Sequence, residues 1–156
     1  MPKSKAIAKS AGRKAPGGGH GARRMDALMK QAEEVAQRSY SKYSTFKVGA
    51  ALRLSNGTVV TGTNVENKSY GLTICAERSA IVRAVAEYGP EIRVVAIAVT
   101  NLNREDSSPC GACRQVLSEF TEADAPVAFP WKKQMRIEPF SALVPFAFEP
   151  EKKRSA

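Results

Sequence analysis

Residues 73–99 read TICAERSAIVRAVAEYGPEIRVVAIAV, and this stretch decides the fold. Its first part predicts a helix over about residues 75–88, which Gly89-Pro90 ends. The side chains of this helix that should face inward are Ile81, Val82 and Val85. Residues 92–99 are a nearly continuous β-branched apolar run, which is typical of a buried strand. A helix that leads directly into a buried strand indicates an α/β protein.

The residues before this stretch predict a helix and then a β-hairpin. From Met25 to Ala36 apolar residues recur at helical spacing, with charged residues on the other side. Residues 47–54 and 58–65 are rich in Val, Leu and Thr, and they flank Asn56-Gly57. This dipeptide supplies the positive φ angles that a tight hairpin turn requires.

The residues after this stretch predict one more helix and two short strands. Ser108 is placed as the helix cap and Pro109 in the first turn, where its missing N–H costs nothing. The buried face of this helix should consist of Val116, Leu117 and Phe120. Strands are expected near 126–129 and 134–138. The order α-β-β-α-β-α-β-β predicts a three-layer α/β/α sandwich with a mixed five-stranded sheet.

The basic charge of the chain is concentrated at its N-terminus. The chain has 156 residues and a formal net charge of +9. Residues 1–24 hold seven of the 24 basic residues and no acid, which leaves 17 basic against 15 acidic residues elsewhere. We expect a disordered basic arm over 1–24, one domain over 25–150 and a charged tail over 151–156. The arm is either a solubilising extension or a weak nucleic-acid contact through phosphate neutralisation.

The cysteine count indicates thiolate chemistry and not disulfide bonding. Three cysteines cannot all pair within one chain, and the sequence shows no secretory signal and no apolar run of membrane-spanning length. We therefore expect a cytoplasmic protein without membrane partners, in which the thiols stay reduced.

The three cysteines are predicted to hold one metal ion. Cys110 and Cys113 form P-C-x-x-C at a helix start, which is half of a zinc site. Cys75 lies at the start of the other helix, so the three sulfurs can converge if both helices pack on one face of the sheet. Helix N-termini also lower the pKa of thiols placed there. Taken alone, C-x-x-C is equally consistent with a redox pair or a structural zinc half-site.

Glu77 is the candidate catalytic residue. It follows Cys75 by two residues, so it lies close to the metal without serving as a ligand, where it can move protons between water and a substrate nitrogen. The simpler interpretation is a favourable partner of the helix dipole. Three thiolates also leave excess negative charge on zinc, which Arg78, Arg114 or Gln115 could offset.

These residues resemble a known family. The segments NVENKSYGLTICAERSA (64–80) and SPCGACRQVLSEF (108–120) closely resemble the homotetrameric cytidine deaminases, and the likeness extends over about residues 40–148. Zinc deaminases include a Cys₃ variant with a glutamate that is not a ligand. The resemblance implies one Zn²⁺ per subunit on Cys75, Cys110 and Cys113, with Glu77 as the proton shuttle.

The resemblance also implies a substrate site. Asn64 and Glu66 would bind the ribose 3′-hydroxyl, Phe46 would line the nucleoside pocket, and backbone groups near Ala76 would hold the base. In this family the site is built between subunits. Phe148, in LVPFAF, would stack on the base bound by a neighbouring chain, and Tyr70 would approach a neighbouring site. For both aromatic residues the alternative is packing in the core or at an interface.

The function implied is hydrolytic deamination of cytidine and 2′-deoxycytidine with release of ammonia, in pyrimidine salvage. One enzymatic alternative is a deaminase of a cytosine-bearing antibiotic such as blasticidin S, against which the ribose ligands in NVEN argue. Another is a nucleic-acid-binding or editing deaminase that uses the basic arm. A third has a purely structural zinc.

Overall fold

The protein is built around a five-stranded sheet. The computed structural model describes residues 19–148, and the positions predicted for the arm before residue 19 and for the tail at 151–156 lie outside this range. The strands are β1 (Val48–Leu54), β2 (Val59–Thr63), β3 (Val94–Asn101), β4 (Pro126–Trp131) and β5 (Gln134–Pro139). The helices are α1 (Gly19–Ala36), α2 (Ala76–Tyr88), α3 (Gly111–Ser118) and α4 (Phe140–Leu143), with a 3₁₀ turn at Tyr70–Leu72.

The sheet is mixed and has the order β2-β1-β3-β4-β5. Strands β3 and β4 run parallel, and every other neighbouring pair is antiparallel. Helix α3 provides the crossover that parallel strands require. The predicted mixed five-stranded sheet is therefore confirmed.

Helices cover both faces of the sheet, which confirms the three layers. Because side chains alternate along a strand, neighbouring residues of β1 belong to different cores. Ala51 packs with Leu28 and Ala32 of α1 on one face. Leu52 packs on the other face, in a larger core with α2, α3 and α4 whose helical members include Ile81, Leu117 and Phe140. Helices α2 and α3 thus lie on the same face.

Two glycines allow helices to lie close to the strands. A Cβ at Gly62 would lie 2.4 Å from the Ala80 nitrogen and 2.6 Å from the Ala76 oxygen in α2. A Cβ at Gly49 would lie 1.9 Å from the Ala32 oxygen in α1. Only glycine allows this approach, because each obstacle is helix backbone.

The start of the first helix was predicted wrongly. The sequence predicts an arm as far as residue 24, but α1 begins at Gly19, so residues 19–24 are helical. Leu28 and Ala32 anchor this helix in the core, and extending an established helix adds one hydrogen bond per residue. The Arg24 carbonyl also accepts a hydrogen bond from Arg53 Nη2 at 3.3 Å.

Two apolar residues predicted to face inward are exposed. Val82 is 66% exposed and Val116 is 36% exposed. Each lies about 100° around its helix from a fully buried neighbour, Ile81 or Leu117. The buried face of α2 contains the predicted Ile81 together with small residues at helical spacing: Ala76, Ala80 and Ala84.

The start of α3 also differs from the prediction. Its N-cap is Cys110 and not Ser108, and no side chain caps it. The Ser108 hydroxyl oxygen accepts a hydrogen bond from Arg114 Nη2 at 3.0 Å, which draws it away from the helix end.

Within residues 19–148, no helix has the length and apolar character needed to cross a membrane.

Candidate active site

The three cysteines meet where α2 and α3 begin. Cys75 is the N-cap of α2 and Cys110 is the N-cap of α3, while Cys113 lies in the first turn of α3. Their three Sγ atoms all lie within 4.8 Å of one another, and those of Cys75 and Cys110 are 4.0 Å apart. Tetrahedral zinc with Zn–S bonds of about 2.3 Å needs sulfurs about 3.8 Å apart. The spacing therefore fits zinc.

The pKa shifts of Cys75 and Cys113 reflect how close their sulfurs lie. A hydrogen bond with Cys113 and then the contact with Arg78 lower the pKa of Cys75 to about 5. The pKa of Cys113 is raised, because its hydrogen bond to Cys75 and its burial both retain the proton. The opposite shifts arise because the two sulfurs share one proton at close range, and three soft sulfur donors this close together favour Zn²⁺, which binds them as thiolates.

The three residues predicted to balance the thiolate charge have different contacts. Arg78 Nη2 lies 3.7 Å from Cys75 Sγ and donates to the Thr73 carbonyl at 2.9 Å. Arg114 contacts none of the sulfurs within the described range, since its guanidinium bonds Ser108, Pro109 and Leu143. Gln115 Nε2 contacts the Ser118 hydroxyl and the Phe148 carbonyl, both at 3.4 Å. Arg78 is therefore the only one of the three whose side chain reaches a cysteine.

Glu77 is buried beside the cysteines. It lies in the first turn of α2 and is 4% exposed. Burial and then the nearby Cys75 thiolate raise the pKa of its carboxyl group. A carboxyl group whose pKa is shifted toward neutrality can both accept and donate a proton, as an acid–base catalyst must.

A cavity of about 270 Å³ opens onto Glu77 and two of the cysteines. Its volume is close to the lower end of the range for small-molecule sites, roughly 300 Å³. The predicted site residues that line it are Phe46, Asn64, Glu66, Cys75, Ala76, Glu77 and Cys110. One cavity thus brings together the cysteine cluster, an apolar wall and a polar end.

The polar end is also a clamp on residues 39–48. The Asn64 Oδ1 atom accepts hydrogen bonds from the Ser39 hydroxyl at 2.6 Å and from the Val48 amide at 2.8 Å, and its Nδ2 donates to the Phe46 carbonyl at 2.8 Å. The Glu66 carboxylate accepts from the Tyr43 amide at 2.8 Å, the Ser44 amide at 3.2 Å and the Ser44 hydroxyl. These residues hold in place the loop that carries Phe46.

Tyr70 and Phe148 lie outside this cavity. Tyr70 is 71% exposed in the 3₁₀ turn, and its ring packs edge-on against Tyr43 with the centroids 6.3 Å apart. Phe148 is 74% exposed. Their predicted contact with a site in another chain therefore stays a prediction.

The sequence did not indicate several residues of the cavity. Ser44, Thr73 and Ser107 contribute hydroxyl groups to the lining, and Val48 and Val99 contribute apolar surface. Single hydroxyls in loops carry no periodic signal, so only the fold shows that Ser44 holds Glu66.

Comparison with known proteins identifies relatives of the chain. Residues 22–128 match the family described as the cytidine and deoxycytidylate deaminase zinc-binding region. A cytidine deaminase of Halalkalibacterium halodurans is 48% identical over 100 residues, which are 64% of this chain and 74% of that protein. A cytidine deaminase of Mycobacterium tuberculosis is 41% identical over 121 residues, covering 78% of this chain and 86% of that protein.

Solved structures show the same similarity. The cytidine deaminase of Burkholderia pseudomallei superposes with a TM-score of 0.70 at 41% identity, covering 79% of this chain and 98% of that one. The enzyme of Mycobacterium tuberculosis superposes with a TM-score of 0.68 at 37% identity, covering 80% and 97% of the two chains.

Proposed function

The chain belongs to the cytidine and deoxycytidylate deaminase family, and from this premise we propose that it catalyses zinc-dependent hydrolytic deamination of cytidine and 2′-deoxycytidine. The products are uridine or 2′-deoxyuridine and ammonia. One observation carries this proposal: a single cavity is lined by Cys75 and Cys110 of the cysteine cluster, the buried residue Glu77 and the polar pair Asn64 and Glu66.

The reaction exchanges the amino group at C4 of the pyrimidine for oxygen from water. Cys75, Cys110 and Cys113 hold the zinc ion, which when bound supplies Lewis-acid activation of water at neutral pH. Glu77 takes one proton from the attacking water and gives it to N3. It then takes the second proton of that water, from the oxygen now bonded to C4, and gives it to the amine, which leaves as ammonia. Its burial keeps bulk water from competing for that proton.

The cavity supports a free nucleoside as substrate. Ala76, at the start of α2, leaves room for the base beside Glu77, and Phe46 provides an apolar wall. Asn64 Nδ2 has one hydrogen left after its bond to Phe46, and the Glu66 carboxylate can accept from a sugar hydroxyl. If these groups bind the 3′-hydroxyl, both ribose and deoxyribose fit. Among the described residues that line the cavity none is basic, so a 5′-phosphate finds no cation there.

The exposed aromatic residues support an assembly of several chains. Phe148 and Tyr70 lie outside the cavity of their own chain, and such large apolar side chains are typical of buried contacts. We propose a homotetramer in which Phe148 stacks on the base bound by a neighbouring chain and Tyr70 approaches a neighbouring site. The enzyme would serve pyrimidine salvage in the cytoplasm.

The test follows the loss of the cytidine absorbance band, with and without a zinc chelator, for cytidine, 2′-deoxycytidine, CMP and blasticidin S. We expect both nucleosides to be deaminated, CMP to react poorly, and chelation to stop turnover until zinc is restored. Faster turnover of blasticidin S than of cytidine would overturn the proposed substrate. Turnover that persists without zinc would overturn the proposed chemistry.

A further inference from the structure

Arg114 connects three segments of the chain. It lies in α3 directly after Cys113 and is half-buried. Its guanidinium donates from Nε to the Pro109 carbonyl at 2.6 Å, from Nη2 to the Ser108 hydroxyl at 3.0 Å and from Nη1 to the Leu143 carbonyl at 3.1 Å. The planar guanidinium therefore ties the turn before Cys110 to both α3 and the end of α4.

The turn that Arg114 holds leads directly into a metal-binding residue. Cys110 has no side-chain cap of its own and takes extended backbone angles, with φ −68° and ψ 164°. The two residues before it, Ser108 and Pro109, both receive hydrogen bonds from Arg114. These bonds fix the direction in which the chain enters α3, and with it the position of the Cys110 sulfur relative to Cys113.

We propose that Arg114 is a positioning residue that sets Cys110 for zinc binding and couples the zinc site to the C-terminal segment 140–148. The Leu143 contact provides the coupling, and Gln115 adds a second contact to the same segment through the Phe148 carbonyl at 3.4 Å. Because coupling is reciprocal, zinc binding also orders that segment. This inference rests on the proposed zinc site and extends it to residues that do not touch the metal.

The geometry separates positioning from charge compensation. Within the described range Arg114 donates to oxygens only, whereas Arg78 contacts a sulfur. Three donors in fixed directions are a property of the guanidinium fork, which a lysine cannot reproduce although it keeps the charge. A charge effect would therefore survive Arg114→Lys, and a positioning effect would not.

The first experiment measures the zinc dissociation constant of the full chain by competition with a chromogenic chelator. We expect Arg114→Lys and Arg114→Gln both to weaken zinc binding roughly 10- to 100-fold, as is usual for groups that orient metal ligands. Arg83→Gln is the matched control, because Arg83 pairs with Glu87 at 2.6 Å on the exposed side of α2. This variant should leave the zinc dissociation constant unchanged. If Arg114→Lys binds zinc as tightly as the unchanged chain, the proposal is wrong.

A milder variant covers the case in which Arg114→Gln does not fold. Ser108→Ala removes one of the three hydrogen bonds, so it should weaken zinc binding a few-fold while lowering the melting temperature of the zinc-free protein only slightly. Cobalt in place of zinc gives a second readout, since a displaced Cys110 alters the visible absorption of the thiolate-bound ion. Unaltered zinc affinity in Ser108→Ala would contradict the role of the turn.

The second experiment tests the coupling by hydrogen exchange of residues 140–148. Adding zinc should slow exchange there in the unchanged chain and should slow it much less in Arg114→Gln at saturating zinc, where only the Gln115 contact remains. Equal slowing in both proteins would overturn the coupling. Neither experiment measures deamination, so a failure of this inference is distinguishable from a failure of the proposed reaction.

Discussion

Glu66 shows how one residue at the polar end of the cavity serves both the fold and the site. Its carboxylate holds the Tyr43 and Ser44 amides and the Ser44 hydroxyl, and it is buried while still lining the cavity. Both backbone amides donate to Oε2 and the Ser44 hydroxyl donates to Oε1, so three donors converge on the carboxylate. The negative charge is therefore built into the local structure.

Replacing Glu66 by Gln should lower stability at neutral pH and raise the KM for cytidine. The Ser44 hydroxyl and then the two backbone amides hold the pKa of Glu66 below its usual value of 4.5. Its contribution to stability is therefore complete above pH 4.5 and is lost as the pH falls through the lower pKa of the folded state. Melting temperatures of both proteins, measured from neutral to acid pH at equal zinc concentration, should converge below pH 4.5. A difference that stays constant or grows there would contradict this assignment.

At the scale of elements, the close packing of α2 on β2 positions the residues at the start of α2. Gly62 lies against the backbone of Ala76 and Ala80, and Ala76 separates Cys75 from Glu77. A side chain at position 62 therefore moves the helix end that carries a zinc-binding residue and the proposed catalytic residue.

Gly62→Ala should destabilise the fold by about 1–3 kcal/mol, as overpacking does, and should also weaken zinc binding. Gly49→Ala should destabilise the fold similarly through α1 but leave zinc affinity nearly unchanged, since α1 carries none of the cysteines. Gly71→Ala is the control, because a Cβ there meets nothing within 4 Å. Thermal unfolding and chelator competition measure the two effects. Equal zinc affinity in the Gly62 and Gly49 variants would contradict this account.

Elements were predictable wherever the signal was local. The β-branched run predicted β3, Asn56-Gly57 predicted the hairpin, and Gly89-Pro90 predicted the end of α2. Each of these three signals depends only on near neighbours in sequence. The start of α3 was predicted wrongly: Ser108 lies two residues before the N-cap Cys110 and bonds the side chain of Arg114, a contact that no sequence pattern indicates. Val82 was predicted wrongly because a β-branched residue beside a core position has no sequence feature that marks it as exposed.

At the scale of the whole molecule, the sequence predicted the convergence of the cysteines but not their supports. Each of two helices begins with a cysteine, and this pattern was enough to predict that the sulfurs meet, because both helices pack on one face of the sheet. The clamp made by Asn64 and Glu66 joins residues 16 to 25 positions apart, and the Arg114 contact with Leu143 spans 29. Contacts between residues so far apart depend on the fold, and no periodic pattern in the sequence indicates them.

The proposed assembly makes a prediction about mixed chains. Glu77→Gln removes the proposed proton carrier, so this variant alone should be nearly inactive. Phe148→Ala removes the ring proposed to stack on the base, so this variant alone should be weakened. If Phe148 acts in a neighbouring chain, refolding an equal mixture creates sites with both groups intact, in about a quarter of cases for random assembly. We expect the mixture to deaminate cytidine faster than the summed rates of the two separate variants. Light scattering gives the number of chains in the assembly. Purely additive activity would contradict a site shared between chains.

The central claim is that Glu77 moves protons at a zinc site that the three cysteines hold. It is tested most directly by measuring zinc content and cytidine turnover on the same sample of Glu77→Gln, which keeps the size of the buried side chain. We predict one zinc ion per chain, an unchanged fold and turnover reduced by at least roughly 10²-fold, the low end for loss of an acid–base group. Near-normal turnover with zinc retained would contradict the account.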